Sequence, residues 1–375
     1  MIKTYMFPGQ GSQAKEMGAH LFDSYSDLTA LADSILGYSI RELCMEDPRN
    51  ELSNTRFTQP ALFVVNALSY YRKVEEAGLP DFLVGHSLGE FNALHAAGCF
   101  DFETGLRLVQ KRGELMGQVS NGAMAAVLNA SKEEIEERLK RAGLDQLYLA
   151  NYNTPTQIVI SGLVEQIAAA EELFKDGKMR YYPLATSGAF HSAFMRDAMA
   201  QFREHLKDVA FAAPAIPVIA NVTARPYQSA AMLDTLSSQI ASTVRWSESI
   251  QYLLAMAARR GDNVQFDELG HGDVLARLVM TIKVQTPEAV LQQFAAEELG
   301  LEPAPPAAPI SLNAAEQKVI AWNQRYPIGT RGKSRVKDYG ELETKSEAVV
   351  LFGHRAAVYM KGYNGYFDLD ELTPA

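Results

Sequence analysis

The chain has 375 residues, 47% of them hydrophobic and 21% charged, enough for a large core and consistent with two or three domains. Its net charge of −10 argues against nucleic acid as a main partner but leaves room for a small anionic substrate in a local basic pocket. Cys44 and Cys99 have no metal-like companions at short spacing, so both read as buried and inert, in a reducing compartment.

The opening stretch MIKTYMFPGQGSQ reads as neither a signal peptide nor a membrane span, and a cytoplasmic location is expected. Residues 2–7 suggest a short buried strand, and the loop from Pro8 to Gln13 is rich in backbone donors before a helix beginning near Met17. Such a loop can hold an anion, but taken alone it reads as a plain strand-to-helix turn. The pattern is helical and punctuated over residues 27–56, then strongly helical over 58–71 with Pro60 in the first turn. The apolar strand Phe82, Leu83, Val84 leads into GHSLGE at residues 85–90, a helix over 88–97 ended by Gly98, and a helix over 102–116 carrying Arg107, Lys111 and Arg112.

Residues 123–187 alternate as βαββαβ, with strands at 124–128, 147–151, 157–161 and 179–184 and helices at 131–141 and 163–174. This is the ferredoxin-like order, read as an inserted subdomain. Ser131 with Glu134 has the form of a capping box, and Asn153, Thr154 and Pro155 supply turn chemistry. Helices then follow at 192–206, 230–242, 247–259 and from Asp273, with strands at 218–221 and 264–269. The whole predicts an α/β fold: a parallel-sheet domain of α/β-hydrolase type over residues 1–122 and 188–283 with the insertion over 123–187. Residues 284–310 read as a helix and an extended linker containing Pro303, Pro305, Pro306 and Pro309. Residues 311–375 read as one helix and then short strands near 348–352 and 356–361 with turns at Gly353, Gly362 and Gly365, a small β-rich, barrel-like appendage. Its leading stretch carries Arg325, Arg331, Lys333, Arg335 and Lys337, which fits a solvated loop or docking to an acidic partner.

GHSLGE fits the G-x-S-x-G nucleophile elbow, making Ser87 the candidate nucleophile. A strand, turn and capped helix would fit the same string. A serine nucleophile needs a base, and His191, after Gly188, Ala189 and Phe190 at the mouth of a helix, is the best placed. His86, His95, His354, His20 and His271 are weaker. No acid between Ser87 and His191 follows an evident sheet strand, so a dyad is at least as plausible as a Ser-His-Asp triad.

The ordered set FPGQGSQ, TQPAL, GHSLGE, KRGELM, NTPTQIVISG, GAFHS, PVIANVTA, QIASTVRW and ELGHGDVL resembles the malonyl-CoA:acyl carrier protein transacylase family from Met1 to about Lys283. The nearest texture is that of free-standing acyltransferases serving polyketide synthases that lack their own. The resemblance implies a ping-pong enzyme: Ser87 takes malonyl from its coenzyme A thioester, and His191 is the base, oriented by the backbone carbonyl of Gln239. It also implies an oxyanion hole from the backbone N–H groups of Gln10 and Leu88, and Arg112 gripping the malonyl carboxylate. Phe190 would narrow the space for an α-methyl branch. Gln59, Asn151, Asn153 and His271 are weaker pocket candidates. Thr243 and His271 stand where the family commonly has proline, and both read as local changes.

The implied acceptor is the phosphopantetheine thiol of an acyl carrier protein or polyketide synthase carrier domain. No metal or redox cofactor, nucleic acid or membrane is expected, and a monomer is favoured. An acyl-thioester hydrolase on the same fold, a fatty-acid-synthesis malonyltransferase and a non-catalytic carrier-docking module remain alternatives.

Overall fold

The computed structural model describes residues 1–186, 188–299, 314–351, 355–363 and 366–374. The chain forms two compact units, Met1–Gly300 and Leu301–Ala375. In the first, the strands are β1 Ile2–Phe7, β2 Phe82–Gly85, β3 Gly122–Leu128, β4 Tyr148–Thr154, β5 Gln157–Leu163, β6 Arg180–Pro183, β7 Val218–Ile219 and β8 Val264–Glu268.

Strands β7, β2, β1 and β8 lie side by side in that order, all parallel. Every residue of β2 and nearly every residue of β1 is buried, as a parallel sheet covered on both faces requires. The two-residue period divides the side chains between two cores. Tyr5, Phe7 and Leu83 enter one, beneath the helices Thr55–Ala77, Gly89–Ala96 and Phe102–Gly117. Met6, Val84 and Ile219 enter the other, beneath Trp246–Arg259 and Val274–Gln285.

A second, antiparallel sheet in this unit has the order β4, β5, β3, β6, with the helices Lys132–Arg141 and Val164–Ala170. It has its own core of Ala125, Val127, Ile135, Ile158, Ile160 and Phe174. The Ser131–Glu134 capping box forms. Strand β4 is tied to the larger body by Val244, which donates to the Ala150 carbonyl at 2.8 Å and accepts from the Tyr152 N–H at 2.9 Å.

Three local expectations differ. No helix begins near Met17; that stretch is turns, because Glu16 and Gly18 both take positive φ, 68° and 75°. The helix expected at 58–71 is Thr55–Ala77, capped by the Asn54 side chain, so Pro60 lies inside it rather than in its first turn. Among the described residues the second unit contains the helix Ala314–Arg325 and two separate three-stranded antiparallel sheets joined by one bridge, Thr344 to Met360, rather than a closed barrel. Its described strands run two to five residues and pair only three to a sheet, whereas closing a sheet on itself takes more strands, tilted and staggered in register. The proline-rich stretch 301–310, with Phe352, Gly353, His354 and Gly365, lies outside the described residues.

Candidate active site

Ser87 stands between the end of β2 and the helix Gly89–Ala96, with φ of 51°. Such a conformation costs a non-glycine residue on the order of 1–3 kcal/mol, and close packing below enforces it. A Cβ on Gly85 would fall 1.9 Å from the Gly89 carbonyl carbon, and one on Gly89 would fall 1.9 Å from the Phe7 carbonyl oxygen. Both positions therefore need glycine. The His86 N–H donates to the Phe7 carbonyl at 3.0 Å. Asn221 braces the turn from the far side: its Oδ1 accepts from the Ser87 N–H and its Nδ2 donates to the Gly85 carbonyl, both at 2.7 Å.

His191 Nε2 lies 2.8 Å from Ser87 Oγ. Its Nδ1 lies 2.9 Å from the Gln239 carbonyl oxygen and 3.1 Å from that of Ser242. Carbonyls only accept, so Nδ1 carries the hydrogen and Nε2 is free to take the serine proton. Burial first, and then the Arg112 charge, push the His191 pKa down to about 3. The imidazole is thus neutral at physiological pH.

Arg112 is 1% exposed. Its Nη1 donates to Gln59 Oε1 at 2.8 Å, and its Nη2 to Gln239 Oε1 at 2.8 Å and Ser87 Oγ at 3.2 Å. The guanidinium lies over the Phe91 ring, 5.4 Å from its centroid. Nε has no hydrogen-bond partner among the described residues. Burial lowers the pKa to about 10, partly offset by Glu90, and the group stays cationic at neutral pH.

A cavity of about 90 Å³ joins these groups, lined among others by Gln10, Gln59, Leu88, Asn151 and Phe190. Gly9 brings the Gln10 loop to the elbow, since a Cβ there would meet the His86 carbonyl oxygen at 2.3 Å. Asn153 is not in the lining; its Oδ1 holds His86 Nε2 at 2.8 Å. His271 does not line the cavity either. Its turn is fixed by Gly270, whose positive φ of 128° sets it against Asn66 and Pro8. A larger groove of about 830 Å³ begins at His191 and Ser242 and runs past Lys132, Lys140, Arg245 and Glu248. No cluster of three His, Cys, Asp or Glu able to hold a metal occurs among the described residues. No helix among them is long and apolar enough to cross a membrane. Cys44 and Cys99 are buried and far from titrating, each raised to about 12 by burial.

The sequence predicts no role for Glu90, Asn221 or Tyr227. Glu90 is fully buried beneath the elbow, accepting from Tyr227 Oη, Gln239 Nε2 and the Asn221 N–H. Burial raises its pKa to about 7, the hydrogen bonds opposing. The signal lay in its neighbours: it opens a helix whose next four residues, FNAL, are also buried.

A strained serine against a neutral imidazole, with a buried cation at the hydroxyl, is equipped to accept and release an acyl group that carries negative charge. Residues 4–291 match the acyl transferase domain. The chain belongs to the acyl transferase domain family. It is 52% identical over 284 residues to the polyketide biosynthesis protein PksE of Bacillus subtilis (strain 168), covering 75% of this chain and 36% of that longer one. It is 51% identical over 283 residues to the polyketide biosynthesis malonyl CoA-acyl carrier protein transacylase PksC of the same strain, covering 75% of this chain and 96% of PksC. The crystal structure of a malonyl CoA-acyl carrier protein transacylase from Burkholderia pseudomallei superposes with a TM-score of 0.76 at 63% identity, covering 76% of this chain and 99% of that one. The acyl transferase match ends before the Leu301–Ala375 unit begins.

Proposed function

We propose that this acyltransferase moves malonyl from coenzyme A to the phosphopantetheine thiol of an acyl carrier protein, supplying a polyketide synthase in trans. The observation that carries this reading is the buried Arg112 guanidinium 3.2 Å from Ser87 Oγ. Malonyl places its free carboxylate two bonds from the thioester carbonyl carbon, so a cation beside the nucleophile meets it, and paired N–H donors grip it with two charge-assisted bonds. The relationship to PksC supports the same substrate and the polyketide setting.

In the first half-reaction Ser87 Oγ attacks the thioester carbonyl carbon while its proton passes to His191 Nε2. The oxyanion is held by the backbone N–H groups of Leu88 and Gln10, each donor contributing on the order of 100-fold or more in rate. Collapse breaks the carbon–sulfur bond, and the departing coenzyme A thiolate takes the proton from His191. In the second half, the phosphopantetheine thiol gives its proton to His191 Nε2, its sulfur attacks the malonyl ester, and Ser87 leaves as the alcohol by regaining that proton. The Gln239 carbonyl holds the imidazole tautomer, Gln59 holds Arg112, and Phe190 opposes an α-methyl branch, a discrimination of about 1–3 kcal/mol.

We read the parallel sheet with its helices as an α/β-hydrolase-like body over residues 1–122 and 188–283. Residues 123–187 are its ferredoxin-like insertion, a reading supported by the sheet order β4, β5, β3, β6. Residues 284–310 connect to a β-rich C-terminal domain from 311. The protein works as a cytoplasmic monomer without metal or redox cofactor.

Intact-mass spectrometry with malonyl-, methylmalonyl- and acetyl-CoA, followed by a phosphopantetheinylated carrier protein, tests the reading. Malonyl should appear on the wild type, be absent from Ser87→Ala, and move to the carrier. Loss of the acyl group to water with none on the carrier would mark a thioester hydrolase instead.

A further inference from the structure

Beneath the elbow lies a closed hydrogen-bond relay drawn from residues 87–90, 112, 221–227 and 239. Glu90, Asn221 and Gln239 are each 0% exposed. Glu90 Oε1 accepts from Tyr227 Oη. Its Oε2 accepts from Gln239 Nε2 at 2.7 Å and from the Asn221 N–H at 3.4 Å. The second hydrogen of Gln239 Nε2 goes to the Ser87 carbonyl at 2.7 Å, and Gln239 Oε1 faces Arg112 Nη2 at 2.8 Å.

Only one orientation of the Gln239 amide satisfies this set. Turned over, its NH2 would oppose a guanidinium that can only donate, and its oxygen would oppose a carbonyl and a carboxylate oxygen that only accept. We propose that Glu90 is a positioning residue for acyl-group selection: by fixing the Gln239 amide, it holds the Arg112 guanidinium beside Ser87, where the acyl carboxylate is read. This rests on the malonyltransferase reading above.

The device needs an acceptor at Glu90 Oε2 rather than a full charge. With its pKa raised to about 7 by burial, Glu90 is partly protonated near neutrality. A proton on Oε1 can be given to Tyr227 Oη while Oε2 goes on accepting. A glutamine can do the same, its oxygen facing Gln239 and its NH2 facing Tyr227. A leucine cannot: the Gln239 hydrogen that meets Glu90 would keep only the long 3.5 Å contact to Asn221 Oδ1, the amide would be free to turn, and Arg112 would keep Gln59 but lose the anchor that Gln239 gives it.

The test measures initial rates of acyl-enzyme formation with malonyl-CoA and acetyl-CoA for the wild type, Glu90→Gln, Glu90→Leu and Gln239→Met. The last keeps the backbone carbonyl that serves His191. Acetyl does not use Arg112, so Glu90→Leu and Gln239→Met should lower the malonyl-to-acetyl ratio by about 10-fold or more, the loss of one hydrogen bond to a charged group. Glu90→Gln should stay within about 3-fold of the wild type. Equal slowing with both acyl groups would mean a structural role and overturn the proposal. So would a Glu90→Gln ratio as low as that of Glu90→Leu, which would make the charge the working element. If circular dichroism shows Glu90→Leu unfolded, Gln239→Met decides, and an unchanged ratio overturns the proposal. Should the wild type itself never load malonyl on Ser87, the functional reading fails; should it load while the variants keep its selectivity, only this inference fails.

Discussion

His191 donates from Nδ1 to the backbone carbonyl of Gln239 at 2.9 Å, the place where a Ser-His-Asp triad puts a carboxylate. A carbonyl sets the tautomer without adding negative charge. With burial and Arg112 acting in the same direction, the imidazole pKa falls to about 3.

The base should therefore stay active well into acid. Glu90 titrates nearby, so the clean measurement uses the Glu90→Gln background, following malonyl loading by rapid quench from pH 7.5 to 5.5. The rate at pH 5.5 should stay within about 2-fold of that at pH 7.5. A base with an ordinary pKa of about 6.5 would lose about 10-fold over the same interval, and such a loss would refute the depressed value.

Arg112→Ala should cost malonyl loading about 100-fold or more, since it removes two bonds of a charged donor worth ~1.5–3 kcal/mol each. Acetyl loading should hold or rise. Selectivity unchanged in competition between the two thioesters would take Arg112 out of substrate reading.

Two glycine substitutions separate steric clash from backbone strain. Gly89→Ala drives a methyl to within 1.9 Å of the Phe7 carbonyl oxygen and should destabilise the fold by ~3 kcal/mol or more, or prevent folding. Gly143→Ala, at φ of 68° but with nothing within 4 Å, should cost only about 1 kcal/mol. Urea midpoints compare them, and equal effects would show that the elbow can shift to accommodate a side chain.

Glu90 also sets a pH dependence of stability. Its folded pKa of about 7 lies above the 4.5 of an ordinary glutamate, so the native state binds more protons between those values. Its contribution is fully present below the unfolded value and is lost as pH rises through about 7. The wild type should lose stability relative to Glu90→Gln between pH 5 and 8, on the order of 2 kcal/mol. His191 contributes with the opposite sign, its stabilisation being lost as pH falls from its unfolded value toward 3, and this is common to both proteins and cancels. A wild type gaining on the variant as pH rises would contradict the raised value.

The parts of the site legible in the sequence were those whose chemistry is local. Gly85, Ser87 and Gly89 lie within one turn, and the packing that demands the glycines acts on that turn. Arg112 and His191 were legible through motifs, and the geometry brings both to within 3.2 Å of Ser87 Oγ. Glu90 was not, because its partners Asn221, Gln239 and Tyr227 are 131, 149 and 137 residues away, and an acid in the first turn of a helix is ordinarily a solvated one. The turns around Met17 escaped for a different reason: Glu16 takes a left-handed φ that its residue type does not announce. The fold class was legible from alternation, whereas the appendage's strands are too short to declare whether they join into one sheet or two.

His191 lines both the small cavity at Ser87 and the long groove beyond it. In the proposed mechanism a single base at that junction serves the departing thiol and the arriving one in turn, and both are ends of the same pantetheine arm. The acyl-enzyme consequently has no chemical means of telling forward from backward. On that mechanism each malonyl on Ser87 would return to coenzyme A or pass to the carrier according to which thiol is more abundant in the groove. With two thioesters of nearly equal free energy on either side, the enzyme brings the two pools toward balance, and net flow is imposed by whatever consumes the malonyl carrier downstream.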